Sequence, residues 1–235
     1  MTPRTDSPAR NRPTEVYEEL RKIIIGGDLA PGTRVVETEV ADRLEVSRTP
    51  VRAALQRLEQ EGYIITEGEG RSRARVAPLT REDSRELFYI IGEIEGLAAR
   101  WAAQLPADER SDLAARLRES NSGMAREAET ASRADRDLVF ELDRRFHDGY
   151  VAAGAGPRLL ALHRSIKPQG ARYARFYVNF LLDEIHTSVE EHERIIEAIE
   201  SGRADDAQVA VETNWRNAAH RLAKVIDWLG ERGSW

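Results

Sequence analysis

The sequence predicts a mainly α-helical protein in two parts: a small N-terminal unit of three helices and a hairpin, then an all-helical bundle of about six helices. Three observations predict this. Apolar residues recur at helical spacing along most of the 235 residues. Strand-like runs occur only at 63–66 and 74–77. Proline and glycine interrupt the helical pattern at several points, which is typical of a bundle with short connections.

The first helices follow a polar N-terminal arm. Residues 1–11 are polar and lack the apolar core of a signal peptide, so we expect a disordered arm. The first helix ends at Gly26, a turn follows in 28–33, and a short second helix begins near Thr38 and ends near Leu44. One face of the first helix is apolar and consists of Val16, Leu20, Ile23 and Ile24.

Residues 44–62 are the most informative stretch, because they predict a tight turn that opens into a helix with an arginine-bearing start. Ser47 can cap this helix, and Pro50 falls in the first turn, where a missing N–H costs little. A buried stripe follows at helical spacing, and a helix packed from behind in this way fits a recognition helix in the DNA major groove. The alternative is an ordinary solvated helix end. The candidate DNA-binding residues here are Ser47, Arg48, Thr49 and Arg52.

A two-stranded wing is predicted next. The β-prone runs 63–66 and 74–77 flank Gly68 and Gly70, and the intervening loop carries Arg71, Arg73 and, at its end, Arg75. Alone, such a loop would be a solvated hairpin tip. Beside a helix-turn-helix, a wing that contacts phosphates or the minor groove is the favoured interpretation.

Three segments together resemble the winged helix-turn-helix of GntR-family bacterial transcription regulators: Gly-Asp-Leu-Ala-Pro-Gly-Thr-Arg (27–34), Val-Ser-Arg-Thr-Pro-Val-Arg-Ala-Ala-Leu (46–55) and Leu-Glu-Gln-Glu-Gly (58–62). The match covers about residues 12–78. The resemblance implies that Arg48 and Arg52 touch bases or adjacent phosphates, that Thr49 contacts the DNA backbone, and that the wing enters the minor groove. The chain departs from some relatives at Thr38, where they carry an arginine.

Composition limits the function classes. The net charge is −6, yet residues 1–78 hold 13 basic and 13 acidic residues, whereas 79–235 hold 22 and 28. DNA binding must therefore rest on a local arginine face and not on bulk charge. The absence of cysteine excludes a disulfide scaffold and a thiolate zinc site, and no apolar run approaches a membrane span. We expect a cytoplasmic protein with no membrane partner.

The second part, residues 79–235, is predicted to be helical throughout. Thr80 with Asp83 resembles a capping box at its start. Breaks are expected at Pro106, Gly123, 154–157 and Gly202, and Pro168 with Gly170 should kink or split the fourth helix. The apolar stripe of the first of these helices is predicted to contain Leu87, Ile90, Ile91, Ile94, Leu97, Ala98 and Trp101.

Polar residues interrupt these apolar faces. Asp143 and His147 are four apart, so both project from one helical face and could chelate one ion, although a surface salt bridge is the commoner outcome. His192 lies on another helix, and Asn214 begins the inward stripe of the last one. The remaining histidines are expected to be ordinary surface or packing residues: His163, His186 and His220.

Four further segments resemble the helical ligand-sensing domain (FCD type) of the FadR branch, in its compact VanR-like form: 140–147, 156–160, 191–199 and 202–207. The resemblance implies a divalent metal held by one aspartate and three histidines. Asp143, His147 and His192 match three of these positions, and the fourth is Asn214, whose amide oxygen is a weaker ligand than imidazole. Zinc is the first candidate, with nickel and manganese behind it.

The resemblance also implies a small carboxylate that completes the metal shell. Arg172, Tyr173 and Arg175 could clamp such a carboxylate, as the arginine fork allows, and solvated arginines on an exposed helix are the equal alternative. Ile91 stands where relatives often have a pocket-facing arginine.

Together these observations predict a homodimeric, ligand-responsive transcription regulator. Two recognition helices would meet the half-sites of a palindromic double-stranded operator, and a small organic acid effector would change operator affinity. The alternative is a metal-dependent enzyme built on Asp143, His147 and His192 and fused to a DNA-binding module, with a general base such as Glu190, Glu191 or Glu193.

Overall fold

The computed structural model describes residues 12–66, 74–129, 135–177, 180 and 184–234. The chain divides into two compact units: one runs to Leu79 and includes the chain from Glu231 onward, and the other is Thr80–Gly230. The end of the chain was expected to belong to the helical part. It joins the first unit because Leu79 and Arg232 exchange backbone hydrogen bonds of 2.8 and 3.1 Å. The predicted N-terminal arm lies outside the described residues.

The first unit is a winged helix-turn-helix, as predicted. Its elements are α1 (Arg12–Gly26), α2 (Glu37–Arg43), α3 (Arg48–Gln60), β1 (Ile64–Thr66) and β2 (Ala74–Val76). The strands pair antiparallel, with Ile64 opposite Val76 and Thr66 opposite Ala74. Helices α1 and α3 pack against each other, and α3 also contacts β1. The buried residues of this core include Tyr17, Leu20, Ile24, Val51, Leu55, Leu58, Tyr63 and Ile64.

The turn between α2 and α3 has an uncommon backbone. Glu45 has a φ of 53°, in the left-handed region that favours glycine. Gly62, two residues after the end of α3, also has a positive φ, of 77°. Ser47 occupies the N-cap position of α3 with extended backbone, but its side chain makes no capping hydrogen bond. The expected capping role of Ser47 is therefore wrong. The start of α3 is defined by the turn and by Pro50, which is buried.

The second unit contains six helices in the part of the chain that the structure describes: α4 (Arg81–Ala102), α5 (Ala107–Glu129), α6 (Arg136–Gly154), α7 (Pro157–Tyr177), α8 (Ile185–Glu200) and α9 (Ala204–Leu229). The bundle prediction is confirmed, but the expected break at Gly123 and the expected split at Pro168 are wrong. Gly123 lies inside α5, where a Cβ would come within 2.9 Å of Leu142 on α6, so glycine allows close packing there. Helix α7 continues through Pro168.

Helix α4 is central to this unit because it packs extensively along α9 and also contacts α6 and α7. The Thr80 hydroxyl accepts the Asp83 N–H at 3.1 Å and caps α4. The buried face of α4 carries Leu87, Ile91, Glu95 and Ala98. The apolar stripe predicted for α4 combined residues of two different faces of the helix. Its other members lie on a second, partly exposed face: Ile90, Ile94, Leu97 and Trp101. No helix among the described residues is long and apolar enough to span a bilayer.

Candidate functional site

The start of α3 presents the predicted DNA-contacting side chains. Arg48, Thr49 and Arg52 are exposed, while Pro50 and Val51 of the same turn point into the core. Thr38, at the start of the preceding helix, is also exposed. The helical period thus separates a packed face from an arginine-bearing face.

The sequence reasoning missed a carboxylate behind these arginines. Glu37, the first residue of α2, accepts Nη2 of Arg48 at 3.1 Å and Nη2 of Arg52 at 3.1 Å. The hydrogen bond from Arg52 is the main reason that the pKa of Glu37 lies below its ordinary value, although partial burial opposes the shift. The carboxylate is therefore ionised at neutral pH and neutralises part of the arginine charge.

The structure describes the two strands of the wing and not the loop between them. Arg71 and Arg73 lie outside the described residues. Arg75 is half-buried on β2, where its Nη1 donates to the carbonyl oxygen of Gly32 at 3.1 Å. Arg75 is thus attached to the turn after α1.

The second unit brings three of the predicted metal ligands together. Asp143, His147 and His192 offer ligand atoms that all lie within 4.8 Å of one another. Oδ1 of Asp143 is 3.8 Å from Nε2 of His147 and 3.7 Å from Nε2 of His192. Ligand atoms around a tetrahedral zinc ion lie roughly 3.3–3.5 Å apart, given Zn–N and Zn–O bonds of about 2.1 Å. Small movements would suffice for a metal to bind all three.

His147 is oriented by a buried carboxylate. Its Nδ1 lies 2.7 Å from Oε2 of Glu95, and an ionised carboxylate can only accept at this position. A neutral His147 that donates from Nδ1 carries its lone pair on Nε2, which faces Asp143. This is the arrangement that proteins use to fix the tautomer and ring plane of a metal-binding histidine.

Glu95 is fully buried and accepts five side-chain donors. Oε2 accepts His147 Nδ1, the hydroxyl of Tyr150 at 2.7 Å and Nε1 of Trp215 at 2.8 Å. Oε1 accepts Nε2 of His163 at 2.8 Å and Nζ of Lys167 at 2.7 Å. Burial by itself would raise the pKa of Glu95, but Lys167 and His147 outweigh it and hold that pKa well below its ordinary value.

His192 is also buried, but unlike Glu95 it makes no hydrogen bonds to the described residues. Across the described ranges, neither ring nitrogen of His192 has a hydrogen-bond partner. Its ring stacks on Phe146 at a centroid distance of 3.9 Å. Burial lowers the pKa of His192 well below its ordinary value, so the ring is neutral: one nitrogen carries an N–H, and the other has a lone pair that can bind a ligand. An unpartnered buried imidazole beside a carboxylate and a second histidine fits a metal ligand.

Asn214 is also buried, and a second carboxylate holds it. Its Nδ2 donates to Oε2 of Glu191 at 2.8 Å, and Asn217 donates to Oε1 at the same distance. Arg221 binds both oxygens of Glu191, at 2.9 and 3.1 Å. Because the amide nitrogen of Asn214 faces Glu191, its carbonyl oxygen is directed away from that carboxylate. The orientation leaves an oxygen, and not an N–H, to act as a ligand.

Two side chains of the predicted effector clamp contact other residues. The hydroxyl of Tyr173 accepts the Thr80 N–H at 3.1 Å and donates to Asp83 at 2.6 Å, so it stabilises the start of α4. Arg175 is exposed and lies 3.4 Å from Asp137. Arg172 is buried on α7. Tyr173 and Arg175 therefore contact different residues, Asp83 and Asp137.

Several residues of this site were not predicted. His163 was expected to be an ordinary histidine, but it is buried and bonded to Glu95, as are Tyr150 and Trp215. The partly buried Lys167 bonds to the same carboxylate. One signal for Glu95 was present in the sequence. It lies four residues after Ile91 and three before Ala98, so a carboxylate occupies a core position of the α4 stripe. Such a position requires compensating donors from other helices.

Comparison with known families agrees with the division into two units. The family model described as "Bacterial regulatory proteins, gntR family" matches residues 13–73. The model described as "FCD domain" matches residues 86–217.

Relatives resemble the chain along much of its length. The "Uncharacterized HTH-type transcriptional regulator YdhC" of Bacillus subtilis (strain 168) is 25% identical over 214 residues, which cover 91% of this chain and 92% of the relative. An HTH-type transcriptional regulator from the ttuE-ttuC' intergenic region of Agrobacterium vitis is 30% identical over 145 residues, or 61% of this chain and 81% of the relative. Both relatives are named as transcriptional regulators, which favours a regulator over the metal-dependent enzyme alternative.

Solved structures share the fold. A GntR transcriptional regulator from Rhodococcus sp. RHA1 has a TM-score of 0.66 at 24% identity and covers 91% of this chain and 98% of that one. McbR/YncC of E. coli has a TM-score of 0.63 at 18% identity and covers 91% and 97%.

Replacing Glu95 with glutamine should strongly destabilise the helical unit. The substitution removes the negative charge that compensates the partly buried Lys167 and aims an NH₂ group at existing donors, at a cost of about 3–5 kcal/mol. Urea unfolding at pH 7 in the presence of a chelator measures the free energy of unfolding. Glu93→Gln, an exposed change on the same helix, should cost less than about 0.5 kcal/mol.

The pH dependence of this difference has a defined sign. Because the folded-state pKa of Glu95 is depressed, its contribution is complete above the ordinary carboxyl value of 4.5 and is lost as the pH falls through the folded-state pKa. The difference in the free energy of unfolding between wild type and Glu95→Gln should therefore decrease as the pH falls below 4.5. Equal unfolding energies for Glu95→Gln and Glu93→Gln at pH 7 would contradict the assigned role of Glu95.

Proposed function

The chain belongs to the GntR family of bacterial regulatory proteins and carries an FCD domain, and from this premise we propose that it is a cytoplasmic, homodimeric, ligand-responsive transcription regulator. In this proposal the winged helix-turn-helix binds one half-site of a palindromic operator, and the helical unit binds a small carboxylate together with a divalent metal. An effector that binds one arrangement of the dimer more tightly would shift the population and change operator affinity.

The exposed arginines at the start of α3 are the observation that carries the DNA-binding role. Arg48 and Arg52 lie on the face opposite the packed residues of the helix, which is the geometry that a recognition helix needs to reach base edges. Since the basic and acidic residues of 1–78 balance, these local charges must supply both base contacts and phosphate attraction. Thr49 would contact the adjacent backbone, and Arg71 and Arg73 of the wing would contact phosphates or the minor groove.

Arg52→Ala should lower specific binding by about 1–3 kcal/mol if Arg52 forms a bidentate contact with a base. The operator is first recovered from randomised duplexes with the wild-type protein, and dissociation constants are then measured for it and for a scrambled duplex. Arg57→Ala removes the same charge from the last turn of α3 and should leave the ratio of the two constants unchanged. If Arg48→Ala and Arg52→Ala both keep the wild-type ratio, neither residue reads the sequence.

A divalent metal fits the Asp143, His147 and His192 cluster on two independent grounds. His192 has unused, neutral ring nitrogens, and Glu95 holds the ring of His147 with one nitrogen free. Two imidazoles and one carboxylate suit zinc first and nickel or manganese next. When bound, the metal would act as a Lewis acid that accepts a carboxylate oxygen of the effector. The amide oxygen of Asn214 would be a weak or water-mediated fourth partner.

Asn214→His should tighten metal binding, because imidazole is a stronger zinc ligand than an amide oxygen. His192→Ala should abolish metal binding, because it removes one of the three proposed ligands. Metal content after mild dialysis is measured by mass spectrometry, alongside the rise in melting temperature on adding zinc. His186→Ala, an exposed change on the same helix as His192, should behave as wild type. Negligible metal in the wild type and in Asn214→His would remove the metal and leave His192 and Asn214 to bind the effector directly.

The effector proposal rests on this cluster and not on the predicted clamp, since Tyr173 and Arg175 contact other residues. A carboxylate is the favoured class because it would complete a metal shell that has two histidines, one carboxylate and a weak amide. Screening organic acids, sugar acids and amino acids by thermal shift, with and without zinc, would identify the class.

The partly exposed apolar face of α4 supports the homodimer. Ile90, Ile94, Leu97 and Trp101 follow one another at spacings of four, three and four residues, so they form one stripe along the helix. Ile90 and Trp101 each remain 39% exposed. Such a stripe on the helical unit is suited to pack against the same helix of a second copy, which gives a self-complementary twofold contact.

Trp101→Glu should weaken this dimer by at least tenfold in dissociation constant, since it places a charge in an apolar interface (roughly 1.4 kcal/mol or more). Sedimentation velocity of the full chain at micromolar concentrations measures the shift toward monomer. Trp228→Glu is the matched control, because Trp228 is 74% exposed on α9 but lies off the stripe. Dissociation by Trp228→Glu and not by Trp101→Glu would move the interface away from α4.

A further inference from the structure

Glu37 holds the recognition arginines in a particular way. Its side chain is only 11% exposed, although it lies among the exposed residues at the start of α3. Oε1 of Glu37 accepts Nε of Arg52 at 3.3 Å, and Oε2 accepts Nη2 of Arg52 at 3.1 Å. Arg52 is therefore held by two parallel bonds, whereas Arg48 donates a single bond at 3.1 Å.

The bonding pattern leaves one edge of Arg52 open. A guanidinium has two edges that can each donate two parallel N–H groups to a planar acceptor, namely Nε with Nη2 and Nη1 with Nη2. Glu37 uses the first edge. Among the residues that the structure describes, Nη1 of Arg52 has no hydrogen-bond partner. The Nη1 and Nη2 edge has the shape that matches the O6 and N7 acceptors of guanine in the major groove.

We propose that Glu37 is a specificity-determining residue of the DNA interface, which holds Arg52 so that its open edge reads a guanine. The proposal rests on the DNA-binding role of Arg52 given above. A guanidinium that is already oriented loses less rotamer freedom on binding than a free one, so the contact with the correct base is stronger. In this proposal the carboxylate of Glu37 determines which edge of Arg52 faces the DNA, and that edge determines that the base is a guanine.

Charge adds a second contribution to specificity. Glu37 cancels one of the two positive charges of Arg48 and Arg52, which reduces attraction to phosphates at any sequence. A carboxylate beside the groove also repels phosphate oxygens when the helix is misplaced. Specificity is a difference between two affinities, so lowering the affinity for the wrong duplex raises it as effectively as strengthening the correct contact.

The opposite possibility is that Glu37 competes with DNA for the arginines. In that case a DNA-free ion pair would have to break, and neutralising Glu37 would strengthen operator binding at least as much as binding to a scrambled duplex. The two possibilities predict opposite changes in the specificity ratio, so they can be separated by measurement.

The test uses the full chain and the operator selected with the wild type. Glu37→Gln keeps the shape of the side chain and removes its charge, and Glu39→Gln removes a charge from an exposed position on the same helix. Dissociation constants are measured for the operator, for a scrambled duplex and for operators in which single guanines are replaced by 7-deazaguanine, which lacks the N7 acceptor. The same series is measured for Arg52→Ala.

We expect the ratio of scrambled to operator dissociation constants to fall roughly tenfold in Glu37→Gln, within the range of one bidentate base contact, with tighter binding to scrambled DNA. One guanine should be sensitive to 7-deazaguanine in the wild type and in Glu39→Gln, and insensitive in Glu37→Gln and Arg52→Ala. If Arg52→Ala loses specificity but Glu37→Gln keeps the wild-type ratio and guanine sensitivity, the role of Glu37 is overturned while that of Arg52 stands. If Arg52→Ala keeps both, the reading role of Arg52 fails and the proposal fails with it.

Discussion

The helical unit depends on the carboxylate of Glu95, which is fully buried and yet ionised. Moving a charged carboxylate out of water costs several kcal/mol, and the cost is recovered only if the charge is paired and its oxygens accept hydrogen bonds. Here the donors come from α6, α7 and α9: His147 and Tyr150, then His163 and Lys167, then Trp215. Because these donors come from three other helices, the bonds to Glu95 favour one arrangement of the four helices that meet there.

The same interaction prepares the candidate metal centre. Glu95 holds one nitrogen of His147, and Glu191 holds the amide nitrogen of Asn214, so two buried carboxylates orient two of the four candidate ligands. His192 is held instead by stacking on Phe146 and leaves its nitrogens unpartnered in the described structure. A buried polar atom without a partner costs about 1–3 kcal/mol. Binding a metal or an effector at His192 would remove that cost, which couples ligand binding to the stability of the helical unit.

In the winged helix-turn-helix unit the carboxylate of Glu37 also orients other side chains, but it lies near the surface. Glu37 is nearly buried while the arginines that it binds are exposed, so the ion pairs are screened and add little stability. Their effect is on geometry, because Arg52 is held along one edge and keeps the other. Because the positive and negative charges of this unit balance, the orientation of Arg48 and Arg52 matters more for DNA binding than the total charge does.

The sequence by itself determined the two units, the helix positions and the segments that carry function. Periodic apolar residues, the glycine-terminated recognition helix and the strand-like runs are local signals, and each reports a conformation set within a few residues. The spacing of Asp143 and His147 is local in the same sense. The break at Gly123 and the split at Pro168 were predicted wrongly, since a glycine or proline inside a helix can be tolerated when packing between helices favours it.

Only the tertiary structure decided which residues meet across helices. The distance in sequence between Glu95 and Trp215, or between Glu37 and Arg52, contains no information about their contact, because the contact depends on how the helices pack and on which rotamers remain free. The same reason explains why Tyr173 and Arg175 contact different residues, although they lie two positions apart in the sequence. A sequence pattern identifies which face of a helix is buried, whereas the partner of a buried charge is chosen by the packing of the whole unit.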